Sequence, residues 1–417
     1  MFNTTNEVYD WLFNQRKLNK RENLDRIKKC IELLSIETNY KIIHIAGTNG
    51  KGSTASYLKN ILKLTNKHVG FFISPFVVCF NERIQINDRY ISDAEILYYS
   101  NKLYNFSNEY YNKYNDVIPF FELTLLMALM YFQDRNIDIA IIECGMGGLL
   151  DATNFVKSDL SIITNIGFDH MNSLGNTLDE IANHKLGIIK PNQMVITSVS
   201  DELKEKFLNY ANSLNSKIVF VNEYIKNIVV DDMTYFNYKG NDYKASLLAK
   251  YQAYNASLAI EASKYIDNTI NDDIINLGLS TNKWPGRMEI ISKKPFIMID
   301  GAHNIHGMEA LVESLTENNY NKKIKIMFSA LADKEFNKMI NLLDKVTDFY
   351  YFTTINDARA TNVIEFSKCT SKKYSLFDNY KEAIDAAKNE IKDDEMLIIT
   401  GSLHFISLVR EYLIKKA

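Results

Sequence analysis

The chain has 417 residues, of which 46% are apolar and 24% charged, and its formal net charge is -3. These values exclude a wholly disordered chain and a strongly basic nucleic-acid binder, and the length suits two or three domains. Four widely spaced cysteines (Cys30, Cys79, Cys144, Cys369) form no C-x-x-C pair. They exclude a disulfide framework and point to a reducing cytoplasm.

The N-terminal stretch Met1–Phe13 lacks the basic and apolar regions of a signal peptide. A strand is expected at Lys41–Ala46, a helix at Thr54–Thr65 and a second strand at Val69–Ile73. The Asn- and Tyr-rich stretch Tyr104–Asn115 reads as a helix end or surface loop. Phe121–Asp134 is helical, with its Met and aromatic residues as core. The surrounding apolar run Ile118–Phe132 contains Glu122 and is too short to span a bilayer, so no membrane is expected. Strands follow at Ile137–Glu143 and Leu160–Asn165, then a helix at Leu178–Ile189 and a strand at Met194–Ser198. Continuous Ile-rich runs imply strands covered on both faces, and strand–helix alternation implies a doubly wound, mostly parallel sheet.

Pro285 and Gly286 break the pattern within Ser280–Met288. A second strand–helix series begins there, with strands at Pro295–Asp300, Lys325–Ser329, Asp348–Thr353 and Met396–Thr400. The expected architecture is α/β throughout. A P-loop-type doubly wound domain covers residues 1–286, and a smaller Rossmann-like α/β domain covers 287–417. Ligands of open α/β sheets bind at the carboxyl ends of strands, where the motifs below all lie. One composite site between the two domains is therefore expected.

Glycine numbers only 16 and proline 5, so glycine clusters carry information. Gly47-Thr48-Asn49-Gly50-Lys51-Gly52-Ser53-Thr54 follows a strand and opens a helix. Its glycines let backbone N–H groups close around phosphate oxygens. The helix N-terminus adds partial positive charge, and Lys51 a full one. A hydroxyl beside the lysine is placed to meet Mg²⁺. The strict G-x-x-x-x-G-K-[ST] spacing is not met, because Ile45 stands where the first glycine would be. Glu143 ends an apolar strand and opens the glycine-rich run Cys144–Asn154. A carboxylate there, near a phosphate loop, suits a hard cation, although alone it reads equally as a solvated strand end. Asp169-His170 follows the next strand, and Lys185 lies 15 residues beyond His170. In the C-terminal part, Asp300–Asn304 closes a strand, Arg287 sits at the boundary, and Asp333-Lys334 follows the next strand. Arg offers phosphate a bidentate fork and Lys a point charge. His303 and His306 are at a chance spacing rather than a metal pair.

Taken in order, GTNGKGST, Ser74-Pro75 with Glu82-Arg83-Ile84, Phe121-Glu122, GMGGLLDATN, Asp169-His170, Lys185, Trp284-Pro285-Gly286-Arg287, Asp300–Asn304 and Thr400-Gly401-Ser402 resemble the folylpolyglutamate synthase/dihydrofolate synthase family of the Mur ligase superfamily. The resemblance runs over nearly the whole chain. It implies an ATP- and Mg²⁺-dependent ligase that joins L-glutamate to a folate or dihydropteroate carboxylate. Asn49, Gly50, Lys51, Gly52 and Ser53 would bind ATP phosphates, with Asn255, Arg287, Asp300 and His303 also at ATP. Ser74, Glu143 and His170 would hold Mg²⁺, and Lys185 would be an N6-carboxylated lysine serving a second Mg²⁺. Phe121, Glu122, Leu150, Asp151 and Ala152 would lie at the pterin. Lys51, Lys185, His170 and Glu143 would carry the chemistry, and the working form would be a cytoplasmic monomer.

Four positions depart from the common family pattern: Phe76, Leu149, His184 and Leu186. None removes a metal ligand, but Phe76 and Leu149 bear on substrate contact. Other readings remain beside this one: another Mur-type amide ligase, a P-loop phosphotransferase or NTPase, and a non-catalytic nucleotide- or folate-binding paralogue.

Overall fold

The computed structural model describes residues 1–15, 23–318, 320, 322–357 and 359–415. They form two compact units, one of Met1–Tyr224 with Tyr254–Leu279, the other of Ile225–Ala253 with Ser280–Ala417.

The first unit is built on eight strands: β1 (Lys41–Ala46), β2 (Val69–Phe72), β3 (Ile84–Ile86), β4 (Arg89–Tyr90), β5 (Ile139–Glu143), β6 (Leu160–Ile163), β7 (Met194–Thr197) and β8 (Lys217–Phe220). Their order is β4-β3-β2-β5-β1-β6-β7-β8. The pairs from β2 to β8 are all parallel, and only β3 and β4 run antiparallel at the edge. Ile42, Ile43 and Ile45 of β1 and Ile139, Ile141 and Ile142 of β5 are buried because helices cover both faces. Such strands have no solvent side and so no polar alternation. The helix Phe120–Asp134 is nearly all core, with Leu123, Leu125, Leu126, Met127 and Leu129 each fully buried. Burial of each contributes about 1.5–3 kcal/mol. Tyr104–Asn115 ends the helix Asp93–Tyr114, which stops at Asn115 in the left-handed region, φ 50°.

The second unit holds a three-stranded antiparallel sheet, β9 (Ile225–Val230), β10 (Thr234–Tyr238) and β11 (Asn241–Ala245). Its larger sheet comprises β12 (Glu289–Lys293), β13 (Phe296–Ile299), β14 (Lys323–Phe328), β15 (Thr347–Thr353), β16 (Lys373–Phe377) and β17 (Glu395–Thr400), in the order β12-β13-β17-β14-β15-β16. Only β12 is antiparallel to its neighbour.

The units divide the chain differently from the expected cut at 286/287. The chain passes between them at Leu279/Ser280, and residues 225–253 join the C-terminal part. Packing accounts for the difference. Leu248, Ala249, Val230 and Tyr251 share a core with Met288, Met298 and Met308, and the Ser246 hydroxyl donates to Asn282 O at 2.6 Å. No helix among the described residues is long and apolar enough to cross a membrane.

Candidate active site

The carboxyl ends of four adjacent parallel strands, β2, β5, β1 and β6, carry Ser74, Glu143, the phosphate loop and His170, while Phe121, Glu122, Lys185 and Asn255 lie on helices. After β1 the chain turns through Gly47 and Gly50 into the helix Lys51–Lys63. Gly50 has φ 82°, and a Cβ there would stand 2.3 Å from Asn255 Oδ1. A Cβ on Gly47 would meet Thr164 Oγ1 at 1.8 Å. Glycine is thus required twice, once by conformation and once by close approach. Lys51 Nζ donates to Gly47 O at 3.0 Å and Thr48 O at 3.1 Å, which curls the side chain over its own loop. Ser53 is buried in the first turn. Asn255, 201 residues from Thr54, accepts from the Thr54 hydroxyl at 3.5 Å and so reaches the loop.

The loop after β6 clamps this turn. Asn49 N–H donates to Asn165 Oδ1 at 2.9 Å, and Thr164 Oγ1 donates to Asn49 O at 2.6 Å. The Thr48 hydroxyl donates to Gly167 O at 3.0 Å and accepts from Gly167 N–H at 2.9 Å. Thr48, Thr164, Asn165 and Gly167 were not among the predicted site residues. Thr48 lies inside the glycine-rich motif, whereas the only signal of the other three in sequence is that they close or follow an apolar strand.

Glu143 is buried at the end of β5, and its Oε2 accepts the Ser74 N–H at 3.2 Å. These two predicted metal residues therefore meet. His170 stands on the β6 loop with φ 50°, half-exposed, its Nε2 3.9 Å from Asp169 Oδ2. Among the described residues no three His, Cys, Asp or Glu side chains converge on a cage. That donor set still fits Mg²⁺, which dehydrates reluctantly and is commonly bound by one or two carboxylates plus substrate phosphates and water.

The loop after β5 packs against the helix Leu178–Leu186. Leu149 N–H donates to His184 O at 2.6 Å, and Asn154 Nδ2 donates to Leu149 O and Gly187 O, both at 3.0 Å. A Cβ on Gly148 would meet His184 O at 2.7 Å and Lys185 Cα at 3.3 Å. The helix thereby holds Lys185 under this loop at 3% exposure. Burial, then the positive charge of Lys51, depresses the Lys185 ammonium from an ordinary 10.5 to about 7.

Phe121 and Asp151 come together over Gly145, where a Cβ would lie 2.8 Å from Phe121 Cζ and 3.3 Å from Asp151 Oδ2. Leu150 and Ala152 flank Asp151. Glu122 points elsewhere. It is buried and takes a two-pronged contact from Arg26, at 2.8 and 3.0 Å, and Arg26 also binds Asp116 at 3.2 Å. Its neighbour Phe121 sits beside Gly145, whereas Glu122 is tied to the helix Asp25–Leu33 through Arg26. Arg26 lies 96 residues away in sequence, so no local pattern announces the pair. Phe76 has a structural part: its ring and that of Phe120 each lie 5.3 Å from the Arg83 guanidinium carbon. Leu149 is exposed.

In the second unit, three further predicted residues gather at Gly301. Asp300 is buried and accepts from Met288 N–H at 2.9 Å and Ala302 N–H at 2.8 Å. Burial raises its pKa, partly opposed by Arg287. A Cβ on Gly301 would lie 2.5 Å from Arg287 Nη1, and His303 Nδ1 pairs with Gly301 O at 2.8 Å.

Two sequence patterns match the chain: the Mur ligase middle domain over residues 45–263 and the Mur ligase glutamate ligase domain over residues 286–403. A dihydrofolate synthase/folylpolyglutamate synthase of Bacillus subtilis (strain 168) is 32% identical over 435 residues, covering 99% of this chain and 100% of that protein. The chain belongs to the folylpolyglutamate synthase/dihydrofolate synthase family of Mur ligases. Among solved members, the folylpolyglutamate synthase of Mycobacterium tuberculosis complexed with ADP and AMPPCP superposes with a TM-score of 0.89, at 26% identity over 98% of this chain and 97% of that one. A bifunctional folylpolyglutamate synthase/dihydrofolate synthase with Mn, AMPPNP and L-glutamate bound gives 0.84, at 25% identity and 98% coverage of both chains. The doubly wound first unit and the second α/β unit are the folds of this family.

Proposed function

We propose that this protein, an ATP-dependent acid–amino-acid ligase by family, joins L-glutamate to the carboxylate of a reduced folate and also of dihydropteroate. One observation carries the reading. A phosphate loop with Lys51, a buried Glu143 and the buried, charge-suppressed Lys185 occupy one rim, while Phe121 and Asp151 meet on the loop that covers Lys185. Relatives bearing both activity names, and a family structure holding a metal, a nucleotide analogue and L-glutamate, support the same assignment.

A carboxylate is a poor electrophile, so ATP must activate it. Its oxygen attacks the γ-phosphorus and the bond to ADP breaks, giving an acyl phosphate. Two anions meet in that step, and the loop N–H groups with Lys51 offset the charge. Glu143, Ser74 and His170 would hold Mg²⁺, with carboxylated Lys185 serving a second ion. When bound, Mg²⁺ supplies charge neutralisation and alignment of the transferred phosphoryl group. Asn255, Arg287, Asp300 and His303 serve ATP. Phe121 offers a ring face to a flat pterin, and Asp151, beside Leu150 and Ala152, offers an acceptor to its N–H groups. The neutral amine of glutamate then attacks the acyl carbon, phosphate leaves and the amine loses a proton. One chain carries this whole set, and we read the working unit as a monomer.

The test is phosphate release by purified protein with ATP, Mg²⁺ and glutamate, offered dihydropteroate or tetrahydrofolate in separate reactions. Release is expected only with glutamate and a pteroate together. Release independent of both would return the phosphotransferase reading.

A further inference from the structure

His44 is the one polar side chain between the aliphatic residues Ile42 and Ala46 of β1, and it is fully buried. Its Nε2 lies 2.8 Å from Thr153 Oγ1 and 3.0 Å from Cys144 Sγ. Thr153 Oγ1 in turn lies 2.6 Å from Asp151 Oδ1. Asp151 is further held by N–H donors from Thr153 at 3.0 Å, to Oδ1, and from Met146 at 2.9 Å, to Oδ2.

Proton counting orders this chain. An ionised aspartate only accepts, and a threonine hydroxyl has a single proton to give. The Thr153 hydroxyl therefore donates to Asp151, and its 2.8 Å contact with Nε2 takes its proton from the His44 ring, since a Cys144 S–H aimed at Nε2 would leave two lone pairs facing each other across that contact. That assigns the proton of His44 to Nε2 and leaves Nδ1 as a bare acceptor. Nδ1 is indeed buried without a hydrogen-bond partner. A lone histidine in an aliphatic strand with an unpaired nitrogen is unfavourable on its own terms. The donor at the other nitrogen is what the placement provides.

The contact with Cys144 has another chemical reading, a thiolate–imidazolium pair. Burial argues against it in both partners. The His44 ring is pushed down to about 3, chiefly by burial, and the Cys144 thiol is pushed up for the same reason. Neither charges at neutral pH, so the pair supplies no nucleophile.

We propose that His44 is a positioning residue that, through Thr153, fixes the Asp151 carboxylate beside Gly145 to accept hydrogen bonds from a substrate ring bearing adjacent N–H donors. It rests on Asp151 meeting the pteroate, as read above. It assigns a function to a core residue that touches no substrate. Its effect reaches the site through two hydrogen bonds, across 109 residues of sequence between His44 and Thr153.

The experiment uses the full chain. Nitrogen-15 NMR of histidine-labelled protein, assigned with His44→Leu, is expected to show the Nε2–H tautomer of His44 with no titration between about pH 5.5 and 8. Steady-state kinetics of His44→Leu, Thr153→Val and the double variant are read for dihydropteroate and ATP separately. Each single change is expected to raise KM for dihydropteroate about tenfold, the effect of one hydrogen bond to a charged group, with KM for ATP unmoved. The double variant should be no worse than either single, because both cut one chain. His44→Gln, which keeps a side-chain N–H, should recover part of the loss. An Nδ1–H tautomer, additive losses, or equal shifts in both KM values would overturn the proposal. Should His44→Leu not fold, His44→Gln supplies the assignment, and the tautomer and Thr153→Val decide. Asp151→Ala separates the two layers. An unchanged dihydropteroate KM there removes the reading of Asp151 and this proposal with it. A raised KM there, with none in Thr153→Val, removes this proposal alone.

Discussion

Lys185 is expected to be a neutral amine in the folded protein and a carbamate in the active one. Its pKa of about 7 replaces an ordinary 10.5, a shift that represents about 5 kcal/mol against the charged form. At pH 7.5 roughly three quarters of the side chains are neutral, against about one in a thousand for a free lysine. The pool able to react with CO₂ is thus several hundredfold larger. In that reaction the amine nitrogen bonds the carbon of CO₂ and releases a proton, leaving an anionic oxygen pair of the kind hard cations prefer. The sign of the linkage can be measured directly. The native state binds this proton more weakly than the unfolded chain, so the Lys185 contribution to stability rises as pH climbs from about 7 to 10.5 and is least below 7. Lys185→Met should therefore stabilise the metal-free protein at pH 6, with the gain fading as pH rises. The same variant should lose activity by about a hundredfold or more, since even outer partners of metal sites are worth 10–100-fold. The assay is carbon-13 NMR after equilibration with labelled bicarbonate, beside turnover in CO₂-depleted and replenished buffer. Full activity without CO₂ and without a carbamate resonance would refute the reasoning.

Lys51→Ala should abolish ligation while lowering stability by only about 1 kcal/mol, because what it loses in the fold is two hydrogen bonds to its own loop; calorimetry and phosphate release check both halves. Gly50→Ala should raise KM for ATP, since the left-handed backbone costs about 1–2 kcal/mol and the new Cβ displaces Asn255; an unchanged KM would remove Asn255 from the loop's support. Asp300→Ala should also raise KM for ATP and lower the melting temperature, because two buried backbone N–H groups lose their acceptor, worth about 1–3 kcal/mol each; a normal KM in a stable variant would detach Asp300 from nucleotide binding.

What could be read from the chain alone was set by backbone geometry. Gly47 and Gly50 are forced by a close approach and a positive φ, so a phosphate loop declares itself even without the strict spacing. The parallel strands announce themselves through isoleucine runs, since a strand covered on both faces has no polar alternation. The sheet β9–β11 stayed hidden for the converse reason. None of the residues of β9 is fully buried, and β10 and β11 bury only alternate ones, so no continuous apolar run marks them. One local sign was present. Lys239-Gly240, both at positive φ, form the two-residue turn that joins β10 to β11. The compact units fall differently from the cut at 286/287 because residues 225–253 contribute apolar side chains to a core whose other members lie beyond residue 280.

Side-chain networks set the limit of sequence reading. Phe121 and Glu122 are neighbours in the chain, so one motif delivers both, yet a helix turns successive residues about 100° apart. Phe121 reaches Gly145 and Asp151, whereas Glu122 is captured by Arg26, which Asp116 shares. Removing Arg26 would leave Glu122 buried without that cation, a stability penalty rather than a direct loss of substrate contact. His44 presents the reverse case. It sits inside the strand most plainly legible as core, and its partners Thr153 and Asp151 belong to the glycine-rich loop more than 100 residues away. A motif therefore tells which residues arrive at the rim of the sheet. Which of them face the ligand, and which hold others in place, is decided by partners that only folding brings near.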